Sequence, residues 1–281
     1  MKKIEVVIFS KNRPMQLYAT LESFYLHCQD IELCSITVIY KSDPSYNYAY
    51  TQIQNNFQDV YCYEEGRFQN DVMGALAYRK YVLFVVDDCI FTNKFSLGEM
   101  QQLLENNDDA LGFSLRLGRN TTYCYPDNKP NELPGFTSHV SQDNILRFSW
   151  RSVGGDFGYP FDLSSSFYRI STLVDILQAD NVSYANPNQL EWQLYVYAMQ
   201  SKSTYPSYLL SYKTSVAFCA PVNKVQTVND NRTGTQQQYS VEKLLDQFNK
   251  GYSIDIKKFV GLVSNSCHRE VDFDFIYNPC I

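Results

Sequence analysis

Short apolar runs alternate with amphipathic segments along the first ninety-five residues. The runs at 4–9, 36–40, 60–63 and 81–86 predict strands, and the segments 15–27, 46–56 and 71–78 between them predict helices. This alternation is typical of a parallel sheet with helices on both faces. Right-handed crossovers would then bring the carboxyl ends of these strands to one edge of the sheet.

The rest of the chain has a less regular pattern. It predicts helices at 100–106, 172–177 and 241–249, a strand at 110–117 and a last strand at 215–219. Residues 120–144 are rich in polar residues and proline and predict a long loop, of the kind that often forms a lid or a binding loop. Without a repeat or a low-complexity linker, we expect one α/β domain over residues 1–281.

Two adjacent carboxylates, Asp87 and Asp88, follow the strand at 81–86. The Val and Phe content of that strand predicts burial on both faces, and two acids at its end are costly without a partner. Ligands bind at this end of the strands in open α/β sheets. Mg²⁺ or Mn²⁺, which bridge protein carboxylates to phosphate oxygens, would satisfy both acids. The alternative is an Asp pair that only caps a turn or a helix.

The first strand leads into Ser-Lys-Asn-Arg-Pro at 10–14, at the same predicted edge of the sheet. Lys11 and Arg13 are candidates to contact the phosphates or carbonyls of a nucleotide, and Asp71 its base or ribose. The alternative for both cations is a solvated loop. Neither a G-x-G-x-x-G nor a P-loop motif follows, which disfavours those two nucleotide-binding folds.

The net charge of −6 and the lack of a basic stripe exclude nucleic acid as the expected partner. No apolar run is long enough to span a bilayer, and the chain opens without a signal peptide. Eight scattered cysteines lack the spacing of a zinc site and predict free thiols in a reducing cytoplasm.

The second half offers candidates for chemistry and for sugar stacking. Glu191 falls in the first turns of a helix that Asn186 and Pro187 begin, where the helix dipole would stabilise its anion, as suits a general base. The alternative is simple compensation of the dipole. Trp150, Phe157 and Tyr159 surround a glycine-rich stretch and can stack on a sugar ring, unless they form an ordinary aromatic turn.

The stretch at 10–14 and the Val-Val-Asp-Asp-Cys-Ile-Phe at 85–91 together resemble the GT-A type glycosyltransferases. Residues 155–160, 186–191 and 221–226 resemble a bacterial and viral, family 2-like subgroup that acts on cell-surface or capsid glycans. The resemblance spans roughly residues 4–275. It implies a Rossmann-like α/β fold with a mostly parallel central sheet flanked by helices. Residues 1–95 would bind the nucleotide sugar and residues 96–281 the acceptor.

The resemblance also implies a metal-dependent, inverting transfer of a sugar from a nucleoside diphosphate donor, expected to be a UDP-sugar, to a hydroxyl of a glycan or a lipid-linked acceptor. Asp88 would be the main ligand of Mn²⁺ or Mg²⁺, with Asp87 beside it or facing the ribose. His139 and His268 are candidates for a third ligand by residue type alone. A cysteine at 89 replaces the last acid of the usual D-x-D motif.

The remaining implied roles fall into three groups. The nucleotide would contact Phe9, Lys11, Arg13, Lys41, Asp71 and Asp87. The base would be Glu191 as first choice or Asp156 as second. The sugars would stack on Trp150, Tyr159 and Trp192.

Two other functions remain open. A sugar-1-phosphate nucleotidyltransferase would use a similar sheet, but its Gly-rich loop after the first strand is missing here. A catalytically inactive glycan-binding module is supported by Cys89. A lipid-linked acceptor would bring the protein to a membrane surface, although no basic amphipathic helix is evident.

Overall fold

The structure is a computed structural model. It describes residues 2–139, 142–179, 182–200, 204–225, 232–279 and 281, with the backbone alone at 138, 139 and 142.

The strands are β1 (Ile4–Lys11), β2 (Cys34–Lys41), β3 (Val60–Glu64), β4 (Tyr81–Val86), β5 (Cys89–Phe91), β6 (Ala110–Ser114), β7 (Tyr123–Cys124), β8 (Lys129–Pro130), β9 (Thr137–His139), β10 (Gln142–Ser149), β11 (Ser166–Arg169), β12 (Tyr208–Tyr212), β13 (Ala217–Cys219), β14 (Tyr252–Ile254) and β15 (Phe275–Tyr277). The helices are α1 (Pro14–His27), α2 (Asn47–Asn56), α3 (Phe68–Leu76), α4 (Leu97–Glu105), α5 (Ile170–Leu177), α6 (Pro187–Gln200) and α7 (Val241–Asn249).

Nine strands form the central sheet in the order β3-β2-β1-β4-β11-β6-β12-β10-β9. The first four strands along the chain are all parallel to one another, as the alternating pattern predicts. Only β11 and β10 run against the rest, each antiparallel to both of its neighbours. The predicted α/β class with a mostly parallel sheet is therefore confirmed.

Alternate residues of the central strands bury into two different cores, one on each face of the sheet. In β1, Val6 and Ile8 join one core and Val7 and Phe9 the other. Strand β4 divides its side chains in the same way. Because each fully buried Val, Leu or Phe contributes about 1.5–3 kcal/mol, these two strands anchor both layers of helices.

Several predicted elements differ from the structure. The predicted loop at 120–144 contains β7, β8, β9 and the first residues of β10, and the strand at 217–219 is followed by β14 and β15, so it is not the last. Strands β11 and β12 have no counterpart in the sequence prediction. Both are short, and their pairing with β4, β6 and β10 comes from segments far away along the chain.

The predicted ligand-binding edge of the sheet lies at the carboxyl end of β4. Asp87 and Asp88 form the two-residue turn between β4 and β5, and β5 pairs with β13. This pairing fixes the turn beside the carboxyl ends of β1 and β6. None of the helices in the described ranges combines the length and apolar content needed to cross a membrane.

We predict that Gly112→Ala destabilises the fold by about 1–3 kcal/mol through overpacking. A Cβ at residue 112 would lie 2.4 Å from Cδ1 of Tyr168 and 2.8 Å from the carbonyl oxygen of Phe167, both in the neighbouring strand. Chemical denaturation measures the effect. The control is Gly74→Ala in α3, where a Cβ meets nothing within 4 Å, so stability should stay equal or rise slightly. Equal stability of both variants would contradict the prediction.

Candidate functional site

A cleft of about 870 Å³ opens at the carboxyl ends of β1 and β4. It is lined from the first half by the ends of β1 and β2 and from the second half by α6 and the segment at 153–164. Nine of the predicted site residues line it: Phe9, Lys11, Arg13, Lys41, Asp87, Asp88, Asp156, Tyr159 and Glu191.

The turn from β1 into α1 places Arg13 at the bottom of this cleft. Asn12 adopts a left-handed conformation with φ of 52°, which asparagine tolerates better than most residues. The Asn12 side chain makes two hydrogen bonds to Asp43. Its Nδ2 donates to Oδ2 of Asp43 at 2.7 Å, and its Oδ1 accepts from the backbone amide of Asp43 at 2.8 Å. The chain therefore turns sharply at Asn12, and Pro14 can begin α1 directly after Arg13.

Asp87 is buried and accepts hydrogen bonds from three donors. Its Oδ2 accepts from the Ser10 hydroxyl and the Lys11 amide, both at 3.0 Å, and its Oδ1 from Nη1 of Arg13 at 3.1 Å. Burial and the nearby charge of Asp88 raise the pKa of Asp87 to about 6, although Arg13 and the Lys11 amide oppose this rise. With three donors directed at its oxygens, we assign Asp87 as the ionised carboxylate.

Arg13 bridges both carboxylates of the pair. Its Nη1 lies 3.1 Å from Asp87 and 3.3 Å from Oδ2 of Asp88. Asn223 holds the other side of the guanidinium, accepting from Nε at 2.8 Å through Oδ1 and from Nη2 through its carbonyl oxygen. Arg13 is thus engaged by the protein itself while it lines the cleft, and its contact with a nucleotide stays a prediction.

The two acids differ in how well they fit a metal ion. Asp87 has its oxygens taken by three donors, whereas Asp88 makes one longer contact with Arg13 and lines the cleft. Among the residues that the structure describes, no group of three His, Cys, Asp or Glu side chains is arranged to hold a metal. Mg²⁺ in phosphate-binding sites typically uses one or two protein carboxylates and takes further oxygens from phosphates and water. Asp88, which makes fewer contacts with the protein, fits that use better than Asp87.

Of the two histidines predicted as a third metal ligand, the structure describes the side chain of His268 alone. His268 lines the cleft, with Nε2 3.3 Å from Nη1 of Arg116. Burial and, after it, the positive charge of Arg116 lower the pKa of His268 to about 3, so its ring is neutral. The side chain of His139 lies outside the described residues.

A second buried ion pair, between Arg116 and Asp162, also lines the cleft. Arg116 follows β6 and donates from Nη2 to Oδ1 of Asp162 at 2.7 Å. Asp162 also accepts from the Ser164 amide at 2.9 Å and the Ser166 hydroxyl at 3.0 Å. This pair is fully satisfied on the carboxylate side, and it fixes the segment before β11 against β6.

Glu191 lies next to this ion pair on α6. Its Oε1 accepts from the Leu163 amide at 3.0 Å, and its Oε2 lies 3.5 Å from the Tyr159 hydroxyl. Burial, followed by the nearby charge of Asp162, raises the pKa of Glu191 to about 7. The expected stabilisation of its anion by the helix terminus is therefore outweighed, because Glu191 is the fifth residue of α6 and is desolvated.

Asp156, the second candidate base, lies on the same side of the cleft. It accepts from the Asn131 amide at 3.0 Å. Burial raises the pKa of Asp156 to about 6, although the positive charge of Arg116 lowers it. The structure thus brings two carboxyl groups with raised pKa values into the cleft that Lys11 and Lys41 also line.

Three predicted site residues lie outside the cleft. Asp71 accepts from the Gly66 amide at 2.8 Å, so it shapes the turn before α3. Trp150 is 1% exposed and donates to the Pro206 carbonyl, so it belongs to the core and cannot stack on a sugar. Trp192 is 58% exposed on the outer part of α6, beside the cleft.

Arg116, Asp162 and Asn223 are site residues that the sequence reasoning missed. Arg116 interrupts an apolar strand pattern, and a charge in that position signals a buried partner. Asp162 and Asn223 carry no comparable local signal. Asn223 reaches Arg13 across 210 positions of the chain. Gln226, the last residue of the stretch at 221–226, lies outside the described residues.

The chain is similar in sequence to one curated protein, the bifunctional glycosyltransferase pgtA of Dictyostelium discoideum. The two are 26% identical over 253 residues, an alignment that covers 81% of this chain. The chain spans about a third of that relative, 33% of its length. No family model matches the chain. The resemblance to glycosyltransferases predicted from the sequence is confirmed by this similarity.

Solved structures of glycosyltransferases are more distant. S. aureus TarS 1–349 in complex with UDP-GlcNAc aligns over 69% of this chain and 53% of its own, at 15% identity and a TM-score of 0.44. The mannosyltransferase PcManGT from Pyrobaculum calidifontis, in complex with GDP-Man and Mn²⁺, aligns over 42% of this chain and 36% of its own, at 15% identity and a TM-score of 0.35. At this distance neither assigns a donor or a metal.

We predict that Arg13→Met lowers the free energy of unfolding by about 3–5 kcal/mol, since it leaves a buried carboxylate pair without its cation. Urea denaturation measures the change. The control is Lys41→Met. Lys41 is at the same edge of the sheet, but its side chain is 60% exposed and pairs with Glu65 at 3.4 Å, so its loss should cost less than about 1 kcal/mol. Equal losses in the two variants would contradict a structural role for the Arg13 bridge.

Proposed function

We propose that this chain transfers a sugar from a nucleoside diphosphate donor, a UDP-sugar, to a hydroxyl of a glycan or lipid-linked acceptor, with inversion at the anomeric carbon. The observation that carries the proposal is the division of one cleft. Lys11, Lys41 and Asp88 line its first-half side, and two carboxyl groups with raised pKa values line the other.

The donor side suits a diphosphate. Lys11 and Lys41 come from the ends of β1 and β2, and Lys224 and Arg232 line the cleft from the second half. These four cations offset the charge of the phosphates without engaging Arg13. Phe9 lines the same region with its ring 5.3 Å from that of Phe68, which offers an apolar surface near a nucleotide base.

Asp88 would hold a Mn²⁺ or Mg²⁺ ion together with the oxygens of the diphosphate. The ion would neutralise the charge that develops on the leaving group. Arg13 pairs with Asp87 and so stabilises the two-residue turn that places Asp88 at the cleft. Lys11, Lys41, Lys224 and Arg232 would supply part of the same charge neutralisation.

Glu191 is the proposed base. The Leu163 amide and the Tyr159 hydroxyl orient its carboxylate, and burial keeps its pKa near neutral pH, where a base both exists as the anion and accepts a proton readily. It takes the proton of the acceptor hydroxyl while that oxygen attacks the anomeric carbon. The bond from this carbon to the diphosphate breaks on the opposite face, and the nucleoside diphosphate leaves.

The tests below can also support either of two alternatives. The first concerns the base, for which Asp156 is the second candidate. A glycan-binding module without catalysis would keep the acceptor side alone and would not bind a nucleoside diphosphate. A role in polysaccharide biosynthesis in the cytoplasm, as predicted from the sequence, is part of the proposal.

We predict that UDP binds to the full chain and that Mn²⁺ strengthens this binding at least tenfold, as measured by calorimetric titration. Asp88→Asn should abolish the gain from Mn²⁺, because its carboxylate is the proposed ligand. The control is Asp71→Asn, which removes a carboxylate outside the cleft and should leave both affinities unchanged. If the wild-type chain binds neither UDP nor GDP, the transferase proposal is wrong.

We predict that Glu191→Gln lowers the turnover number about 10²–10⁴-fold, with little change in UDP affinity. The base must be ionised, so the turnover of the wild-type chain should rise with pH through about 7 and then level off. Asp156→Asn is the matched comparison and should reduce turnover less. A larger loss in Asp156→Asn, together with a pH profile centred near 6, would assign the base to Asp156 instead.

A further inference from the structure

We propose that the acceptor is a neutral oligosaccharide of at least two sugar rings, and that Trp192 holds the ring farther from the reacting hydroxyl. This inference rests on the proposed transfer and names the substrate class of its acceptor side. Its basis is a row of three aromatic rings that leads from the proposed base to the protein surface.

The row begins inside the cleft at Tyr159, whose hydroxyl lies 3.5 Å from Glu191. The ring of Tyr195 stacks on Tyr159 with centroids 4.7 Å apart and an interplanar angle of 18°. The ring of Trp192 follows at 5.8 Å from Tyr195. Tyr159 and Tyr195 line the cleft, whereas Trp192 lies just outside it and is 58% exposed. A single sugar placed at Glu191 therefore leaves Trp192 uncovered.

Helix α6 explains why these side chains share one side. Asn188, Glu191, Tyr195 and Met199 line the cleft at successive spacings of three, four and four residues, which is one face of a helix. Trp192 neighbours this face, because positions 188, 192 and 195 are also three or four apart. The aromatic row is thus continuous with the wall that carries the base.

The chemistry of this helix suits an uncharged sugar. Glu191 is the one charged residue among the fourteen of α6, and the other polar side chains are mainly amides and tyrosines. Aromatic rings cover the apolar faces of sugars, and amides pair with hydroxyls. A saccharide carrying carboxylates or phosphates would find no cation on this helix.

The two tryptophans make the proposal measurable. The sequence has only two, and Trp150 is buried with its indole nitrogen bonded to Pro206. A change in tryptophan fluorescence on adding a saccharide therefore reports mainly on Trp192. The titration uses the full chain with mono-, di- and trisaccharides of glucose, galactose and N-acetylglucosamine.

We expect a saturable change with at least one di- or trisaccharide, which should bind roughly tenfold tighter than its own monosaccharide. Calorimetry with the same sugar should show a similar tenfold loss in Trp192→Ala and near-wild-type affinity in Trp192→Phe, which keeps a ring. The control is Tyr61→Ala on β3. Tyr61 is 68% exposed on the edge strand β3 and does not line the cleft, so its loss should leave saccharide affinity unchanged.

The inference is overturned if no saccharide of the panel binds, if monosaccharides bind as tightly as longer ones, or if Trp192→Ala binds like the wild type. These failures are distinguishable from failure of the proposed function. UDP binding without oligosaccharide binding rejects this inference alone. Oligosaccharide binding that depends on Trp192 in a chain that binds neither UDP nor GDP supports it and rejects the transferase.

Discussion

The candidate site depends on the requirement that buried carboxylates keep a cation. Asp87 and Asp88 sit in a two-residue turn where a strand buried on both faces ends, so their charges cannot be left to water. Arg13 meets that requirement from the turn between β1 and α1, and Asn223, 210 positions later in the chain, holds the guanidinium. One set of contacts thereby ties together β1, β4 and the segment after β13. Such a pair adds little stability when intact, but it is strongly destabilising when one partner is removed.

The second buried ion pair of the cleft also gives a buried carboxylate a cation, but here a neighbouring acid, Glu191, keeps a raised pKa. Arg116 and Asp162 pair with each other, and the amide and hydroxyl groups of the loop satisfy the remaining oxygens of Asp162. Glu191 beside them keeps a raised pKa because it is buried and lies near the charge of Asp162, and these two effects outweigh the opposing charge of Arg116. The fold thus directs three hydrogen-bond donors at Asp87 near the proposed donor and leaves Glu191 able to exchange a proton near the proposed acceptor. That separation is what a transfer with a general base needs.

Aromatic residues are plentiful, and the structure gives them two separate uses. Trp150 and Phe157 fill the core on one face of the sheet, where they fix the loop that carries Asp156. Tyr159, Tyr195 and Trp192 form the row that leaves the cleft along α6. The sequence offers Trp150, Phe157, Tyr159 and Trp192 as equal candidates for stacking, because burial depends on which neighbours the sheet supplies.

The sequence by itself determined the α/β class, the parallel first half and the edge of the sheet where Asp87 and Asp88 lie. These follow from local periodicity and from the handedness of crossovers, which act within short stretches of chain. Only the tertiary structure decided what the charged residues do. Arg13 was expected to face a ligand, and the structure shows that it also pairs with acids 74 and 75 positions away. Asp71 and Trp150 were expected in the site and lie elsewhere, while Arg116 and Asp162 were missed. Long-range pairing and desolvation fix these roles, and neither leaves a local pattern in the sequence.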